Sequence, residues 1–146
     1  MRTSNATART IALYGTLAVA AHFAASVLHG LAHVETGVYL GPLGNLFVAL
    51  VITVAPLVAA ALLWTTRARA GALLLAGSMA GSLVFGVYNH FVVVSPDHVL
   101  HVPGAEAWRR VFQVSSVLLA LSEVAGCIVG VWALGRSQRG FFERSV

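Results

Sequence analysis

Six histidines lie in an otherwise apolar chain, and their spacing is the first indication of chemistry. His22, Ser26, His29 and His33 recur at intervals of four, three and four residues in the first apolar segment. Such intervals place all four side chains on one face of a helix. The side chains on this face are polar, in a segment that is otherwise hydrophobic. We therefore expect the face to point into a helix bundle rather than toward lipid.

Two histidines from different segments are predicted to lie at the same depth. At 1.5 Å per residue, His29 and His90 each fall about 6 Å below the outer end of a helix. Imidazole and carboxylate groups are the usual ligands of zinc, copper and non-haem iron. The sequence therefore predicts a metal site whose candidate ligands are His29, His90, His33, Asp97, His98 and His101. An alternative is haem b, with His29 and His90 as its two axial ligands.

A second polar pair is predicted nearer the middle of the bundle. Glu123 is the lone acidic residue within any apolar segment, and it lies about 18 Å from the outer end of its helix. His22 falls at a similar depth. A carboxylate in hydrocarbon must be protonated, paired or facing water. We therefore expect His22 and Glu123 to face each other, either as a structural contact or as a proton relay.

The elements that would position these residues follow from composition. The chain has 146 residues, of which 58% are hydrophobic and only 10% charged, which excludes an ordinary soluble domain. Its unbroken apolar runs also exclude a membrane β-barrel, because barrel strands are short and alternate in polarity. The predicted fold is an all-α integral membrane protein, a four-transmembrane-helix bundle forming one domain over residues 1–146. The spans are about 11–33, 43–66, 70–94 and 111–134, with outer loops 34–42 and 95–110.

Arginine placement predicts the orientation of this bundle. Seven arginines lie on one side and two on the other, and positive residues favour the cytoplasmic side. Both termini are therefore expected in the cytoplasm, with the protein a multi-pass component of the cell membrane. The arginines flank apolar segments instead of clustering on one face, so no nucleic-acid partner is expected. The seven are Arg2, Arg9, Arg67, Arg69, Arg136, Arg139 and Arg144; the two are Arg109 and Arg110.

Two pairs of glycines have the spacing of close helix contacts. Gly77 and Gly81 lie in the third segment, and Gly126 and Gly130 lie in the fourth. Small residues four apart allow helix backbones to approach each other. These faces predict close packing within the monomer, in a homo-oligomer or in a larger membrane complex, in addition to contact with the lipid bilayer.

Three classes of function are compatible with these patterns. The first is a metal or haem protein, as a redox enzyme or an electron-transfer subunit, because it accounts for histidines concentrated at one depth. The second is a proton-coupled carrier or channel that uses His22 and Glu123. The third is a non-catalytic accessory subunit, which needs only the packing surfaces. The sequence does not decide whether the protein is an enzyme, and it identifies no catalytic residue.

Overall fold

The computed structural model describes residues 2–142, and this part of the chain forms four long helices. They are α1 (Arg2–Thr36), α2 (Pro42–Leu63), α3 (Ala68–Val92) and α4 (Glu106–Phe142). Each contains a stretch long and apolar enough to cross a membrane. The prediction of an all-helical protein with four such segments is confirmed. The helices α1 and α4 extend beyond the predicted spans because helical hydrogen bonding continues into their polar ends.

The helices pack around a central α4. It lies along both α1 and α3, while α2 packs against α3 and contacts α1 chiefly through its second half, Ala55–Leu63. We call the end that carries the α3–α4 loop the outer end. The largest apolar core lies toward the inner end, and a smaller one, formed by Ala32, Val38, Val102 and Phe112, closes the outer end. The polar residues of interest lie between the two cores.

The helix α2 changes its geometry in its middle. Residues Val48–Val54 form a π-helix, and normal α-helix resumes at Ala55, directly before Pro56. Proline has no N–H and its ring disturbs the preceding turn, so the carbonyls there need other donors. The carbonyl that Pro56 leaves without its helical donor is Ile52 O, which lies at the depth of His22. Thr53 Oγ donates to Val48 O, one turn earlier in the π-helix, at 3.0 Å.

The glycine pairs contribute to packing within the chain, although unequally. A Cβ at Gly130 would lie 2.8 Å from the Ala76 backbone nitrogen, and one at Gly126 would lie 2.6 Å from the Met79 side chain. These two glycines therefore allow α4 to approach α3 closely. Gly77 has open space around it, and Gly81 has only ordinary contacts. Association between copies or with a larger complex stays a prediction.

Replacing Gly130 by alanine is expected to destabilise the bundle, because the new methyl group would overlap backbone atoms that cannot rotate away. We expect a loss of about 1–3 kcal/mol in unfolding free energy. Gly77→Ala is the matched control, since it adds the same methyl group to a site with open space. Thermal unfolding in detergent measures both variants, and equal midpoints would contradict this account of the contact between α3 and α4.

Candidate metal centre

Three histidine side chains meet in the outer half of the bundle. His29 Nε2 lies 3.1 Å from His90 Nε2 and also 3.1 Å from His33 Nε2. Among the described residues, these three form the group whose ligand atoms all lie within 4.8 Å of one another and that could hold a metal ion. Tetrahedral ligands with metal–nitrogen bonds of about 2.0–2.1 Å would be about 3.3 Å apart. The cluster is therefore close to the dimensions of a single coordination sphere.

The other ring nitrogen of each histidine is held by a partner outside the cluster. His33 Nδ1 lies 2.9 Å from Val38 O, and His90 Nδ1 lies 3.0 Å from Asp97 O. His29 Nδ1 lies 2.9 Å from Ser115 Oγ, whose hydroxyl donates to Phe112 O at 3.1 Å. Metal-binding histidines usually have such a partner on the nitrogen that does not bind the metal, because it fixes the tautomer and the ring orientation.

These partners determine where the protons lie. The two backbone carbonyls only accept, so His33 Nδ1 and His90 Nδ1 must donate. His29 Nδ1 also donates when the Ser115 hydroxyl is turned to Phe112 O. A neutral imidazole carries one N–H. The Nε2 atoms of His33 and His90 consequently present bare lone pairs to His29 Nε2 at 3.1 Å. A proton on His29 Nε2 can serve only one of these contacts, whereas a metal ion can bind all three nitrogens.

Local structure explains how the three rings converge. His29 and His33 are one turn apart on α1, so they lie on the same face. His90 lies in the π-helical turn Tyr88–Val92 that ends α3, and π-turns of this kind are frequent at functional sites. Phe112, which is fully buried on α4, packs with its ring centroid 4.7–5.4 Å from all three imidazole centroids.

Asp97 brings a buried carboxylate next to the cluster. Its Oδ1 lies 3.3 Å from His90 Nδ1 and 3.5 Å from His33 Nε2, and the residue is only 8% exposed. Both carboxylate oxygens lack a hydrogen bond. Such a group is costly in a protein interior unless positive charge lies nearby. An ion among the three Nε2 atoms would provide that charge.

The two remaining histidines do not join the cluster. The α3–α4 loop folds back over the end of α3 through a bond from Val99 N to His90 O, 3.0 Å long. In this fold it is Asp97 that faces inward, while His98 and His101 pair with each other through Nδ1 atoms 3.1 Å apart. Their predicted role as ligands therefore has no support in this arrangement.

The haem alternative also fits the geometry poorly. Two axial nitrogens on opposite sides of an iron would be about 4 Å apart, twice a metal–nitrogen bond of about 2 Å, with the macrocycle between them. His29 and His90 are closer than this, and His33 occupies the same region. The cluster accommodates one ion better than a planar cofactor.

His22 has a structural explanation that the sequence did not reveal. Its Nε2 lies 3.1 Å from Ile52 O, a carbonyl in the turn that precedes Pro56. The side chain therefore donates to a helix turn that the proline leaves short of donors. Its Nδ1 lies 3.3 Å from Ser122 Oγ on α4. His22 is thus a buried bridge between three helices.

The expected contact between His22 and Glu123 is corrected by these bonds. The predicted depth was right, but neighbouring residues on a helix point about 100° apart. Ser122 is the residue that α4 turns toward His22, whereas Glu123 faces α3, where Gly86 lies opposite it. A proton relay through this pair loses its structural basis.

Replacing His22 by phenylalanine is expected to destabilise the protein while leaving the three-histidine cluster intact. The ring volume is kept, but Ile52 O loses its donor, which costs about 1–3 kcal/mol for a buried carbonyl. Thermal unfolding in detergent measures the effect, with His101→Phe at the exposed outer loop as the control. A His22→Phe protein as stable as that control would contradict the structural role.

A cavity of about 270 Å³ adjoins the cluster. Its lining includes His29, His33, His90 and Asp97, and Glu123 lies deeper in the same space. Gly86 keeps the region between them open, because a Cβ there would be 3.9 Å from Glu123 Oε2 and 3.9 Å from His90 Cδ2. The predicted acidic residue therefore belongs to the surroundings of the histidine cluster and not to a separate site.

Comparison of the chain with protein-family models, with curated proteins and with solved structures finds no match. The class of protein is therefore defined by its own fold and site. It is a bundle of four apolar helices, typical of a multi-pass membrane protein, with a buried histidine cluster that could bind a metal ion.

Proposed function

We propose that the protein is a membrane metalloprotein that binds one divalent transition-metal ion through Nε2 of His29, His33 and His90. Because the three histidines line the cavity, a bound ion would have room there for a further ligand, as in the open metal sites of enzymes. When bound, the ion would act as a Lewis acid on a ligand in that cavity. Catalysis by such a metal ion is therefore the function that this arrangement best supports.

The observation that carries the proposal is the convergence of three histidine nitrogens close enough to bind one ion. Each Nδ1 has a partner of its own, so the three Nε2 atoms are directed to each other. The buried carboxylate of Asp97, whose oxygens accept no hydrogen bond and lie beside His33 and His90, is a second reason to expect positive charge here. Imidazole nitrogens suit zinc, copper, iron and nickel. Cys127 lies elsewhere, near Ala76 O, so the site is expected to contain no thiolate.

Metal analysis tests the proposal. Protein purified in detergent without chelators is offered zinc, copper, cobalt or iron in turn, and separately haem, and bound metal is measured after gel filtration. We expect one zinc or cobalt ion per chain and no retained haem. Copper or iron as the preferred ion would favour the redox version of the site. A chain that retains none of these metals would contradict the proposal and favour an accessory subunit.

We also propose that the protein lies in the cell membrane with both termini in the cytoplasm, because seven arginines flank the inner ends of the helices. In a Cys127→Ser background, single cysteines replace Leu100 in the outer loop and Thr66 in the inner turn. Only the Leu100→Cys protein should react with a membrane-impermeant thiol reagent in intact cells. Reaction at position 66 alone would reverse the orientation.

A further inference from the structure

The walls of the cavity are mostly apolar. Side chains from all four helices line it, including Val34, Ile52, Phe85 and Leu119. Its imidazole and carboxyl groups are those of the histidine cluster, Asp97 and Glu123, and Asn45 and three serines add neutral polar groups. A cavity of this kind favours a ligand with one polar head and an apolar body, because a fully hydrated ligand would lose its water against the apolar walls.

The polar groups also restrict the charge of the head. An anionic head would meet the carboxyl groups of Asp97 and Glu123 within the same space. A cationic head would compete with the ion that the three histidines hold. An uncharged head with a lone pair avoids both conflicts and can occupy the fourth coordination position.

The mouth of the cavity is formed by residues that face outward. Val34 on α1 is 59% exposed, and Tyr39 in the following loop is 74% exposed; both line the cavity. The first half of α2 packs on α3, through Phe47 stacked on Phe85, while α1 contacts chiefly the second half of α2. Space is thus left between α1 and the outer half of α2, among apolar side chains that would face lipid.

We propose that this cavity binds a small uncharged amphiphile, which enters from the membrane and directs a lone-pair head group to the metal. The inference rests on the metal site proposed above and adds the class of substrate. The apolar body would lie along α1 and α2, and the head would lie between the three Nε2 atoms and Glu123.

Gly30 allows a sharp test. It lines the cavity, and a Cβ at this position would have nothing within 4 Å. Gly30 is exposed at the open side of the cavity, so Gly30→Leu should obstruct the cavity without disturbing the backbone. Gly77→Leu is the matched control, because Gly77 also has nothing within 4 Å and lies outside the cavity lining. Neither glycine contributes a ligand to the cluster.

The experiment uses the cobalt-substituted full-length protein in detergent and follows the visible absorption of cobalt during titration. The probes are 1-methylimidazole, 1-butylimidazole and pentanoate. In wild type and Gly77→Leu, 1-butylimidazole should bind more tightly than 1-methylimidazole, by up to about fiftyfold for three buried methylene groups. In both proteins it should also bind more tightly than pentanoate. Gly30→Leu should retain cobalt but bind 1-butylimidazole about tenfold or more weakly than Gly77→Leu.

Three results would overturn the inference, and they have different meanings. If wild-type protein retains no cobalt, the metal site itself is wrong, and the amphiphile proposal falls with it. If cobalt is retained but Gly30→Leu and Gly77→Leu bind 1-butylimidazole equally, the metal site stands and the cavity is not the binding site. Tighter binding of pentanoate than of 1-butylimidazole would overturn the proposed uncharged head group.

Discussion

Replacing His29 by alanine is expected to reduce the affinity for the bound metal ion by about a hundredfold to a thousandfold. Binding of a structural zinc ion releases about 10–16 kcal/mol over four ligands, so one ligand accounts for about 3–4 kcal/mol. His29 is the most severe case because its Nε2 lies 3.1 Å from both other histidine nitrogens. Competition with a chromophoric chelator measures the affinity.

The control for this variant is His101→Ala. His101 is exposed and pairs with His98 outside the cluster, so its loss should leave the metal affinity unchanged. The metal-free His29→Ala protein should fold, because Ser115 keeps its hydrogen bond to Phe112 O when the imidazole is removed. Equal metal affinity of the His29→Ala and His101→Ala proteins would contradict the assignment of the ligands.

Replacing Asp97 by asparagine is expected to have opposite effects on metal affinity and on metal-free stability. The carboxylate is buried beside the cluster and neither oxygen is hydrogen-bonded. Without metal, removal of the negative charge should raise the thermal midpoint, because a buried charge with no hydrogen bond is lost. With metal, it should lower the affinity by about tenfold to a hundredfold, as for other residues next to a metal ligand.

Glu35→Gln is the matched control for this prediction. Glu35 is also acidic and close to the outer end of α1, but it is exposed, so its neutralisation should change neither quantity appreciably. Chelator competition and thermal unfolding of the metal-free protein give the two measurements. Suppose that the Asp97→Asn and Glu35→Gln proteins had the same metal affinity and the same metal-free stability. The Asp97 carboxylate would then not interact with a bound ion.

The sequence predicted most of the fold, because bilayer thickness strongly constrains a chain this apolar. Four unbroken apolar segments separated by more polar turns and loops leave few arrangements other than a helical bundle. The π-helical turn before Pro56 was harder to predict from the sequence. Proline indicated a disturbed turn, but its π-helical form and the bond from His22 to Ile52 O depend on how α1 and α2 pack.

The sequence predicted the depth of the site residues along the helices more accurately than the rotation of each helix about its own axis. Counting residues along each helix brought His29 and His90 to one level, and their Nε2 atoms are 3.1 Å apart. The same counting paired His22 with Glu123, but it could not determine which face of α4 turns toward α1. Ser122 occupies that face.

Several important partners of the cluster carried no signal in the sequence. Ser115 is one of many small polar residues in membrane helices, and nothing in its spacing distinguished it as the partner of His29. Val38 acts through its backbone carbonyl, so its side chain gives no indication. Phe112 is an ordinary core residue by type. These roles follow from tertiary packing alone.

X-ray absorption at the metal K edge of the zinc-loaded protein is the most direct test of the central claim. We expect a first shell with three imidazole nitrogens at about 2.0 Å and one oxygen ligand, together with outer-shell scattering from three rings. The spectrum should be unchanged in His101→Ala and should lose imidazole scattering in His29→Ala, recorded at saturating zinc. A first shell without imidazole, or one containing sulfur at about 2.3 Å, would contradict a site formed by His29, His33 and His90.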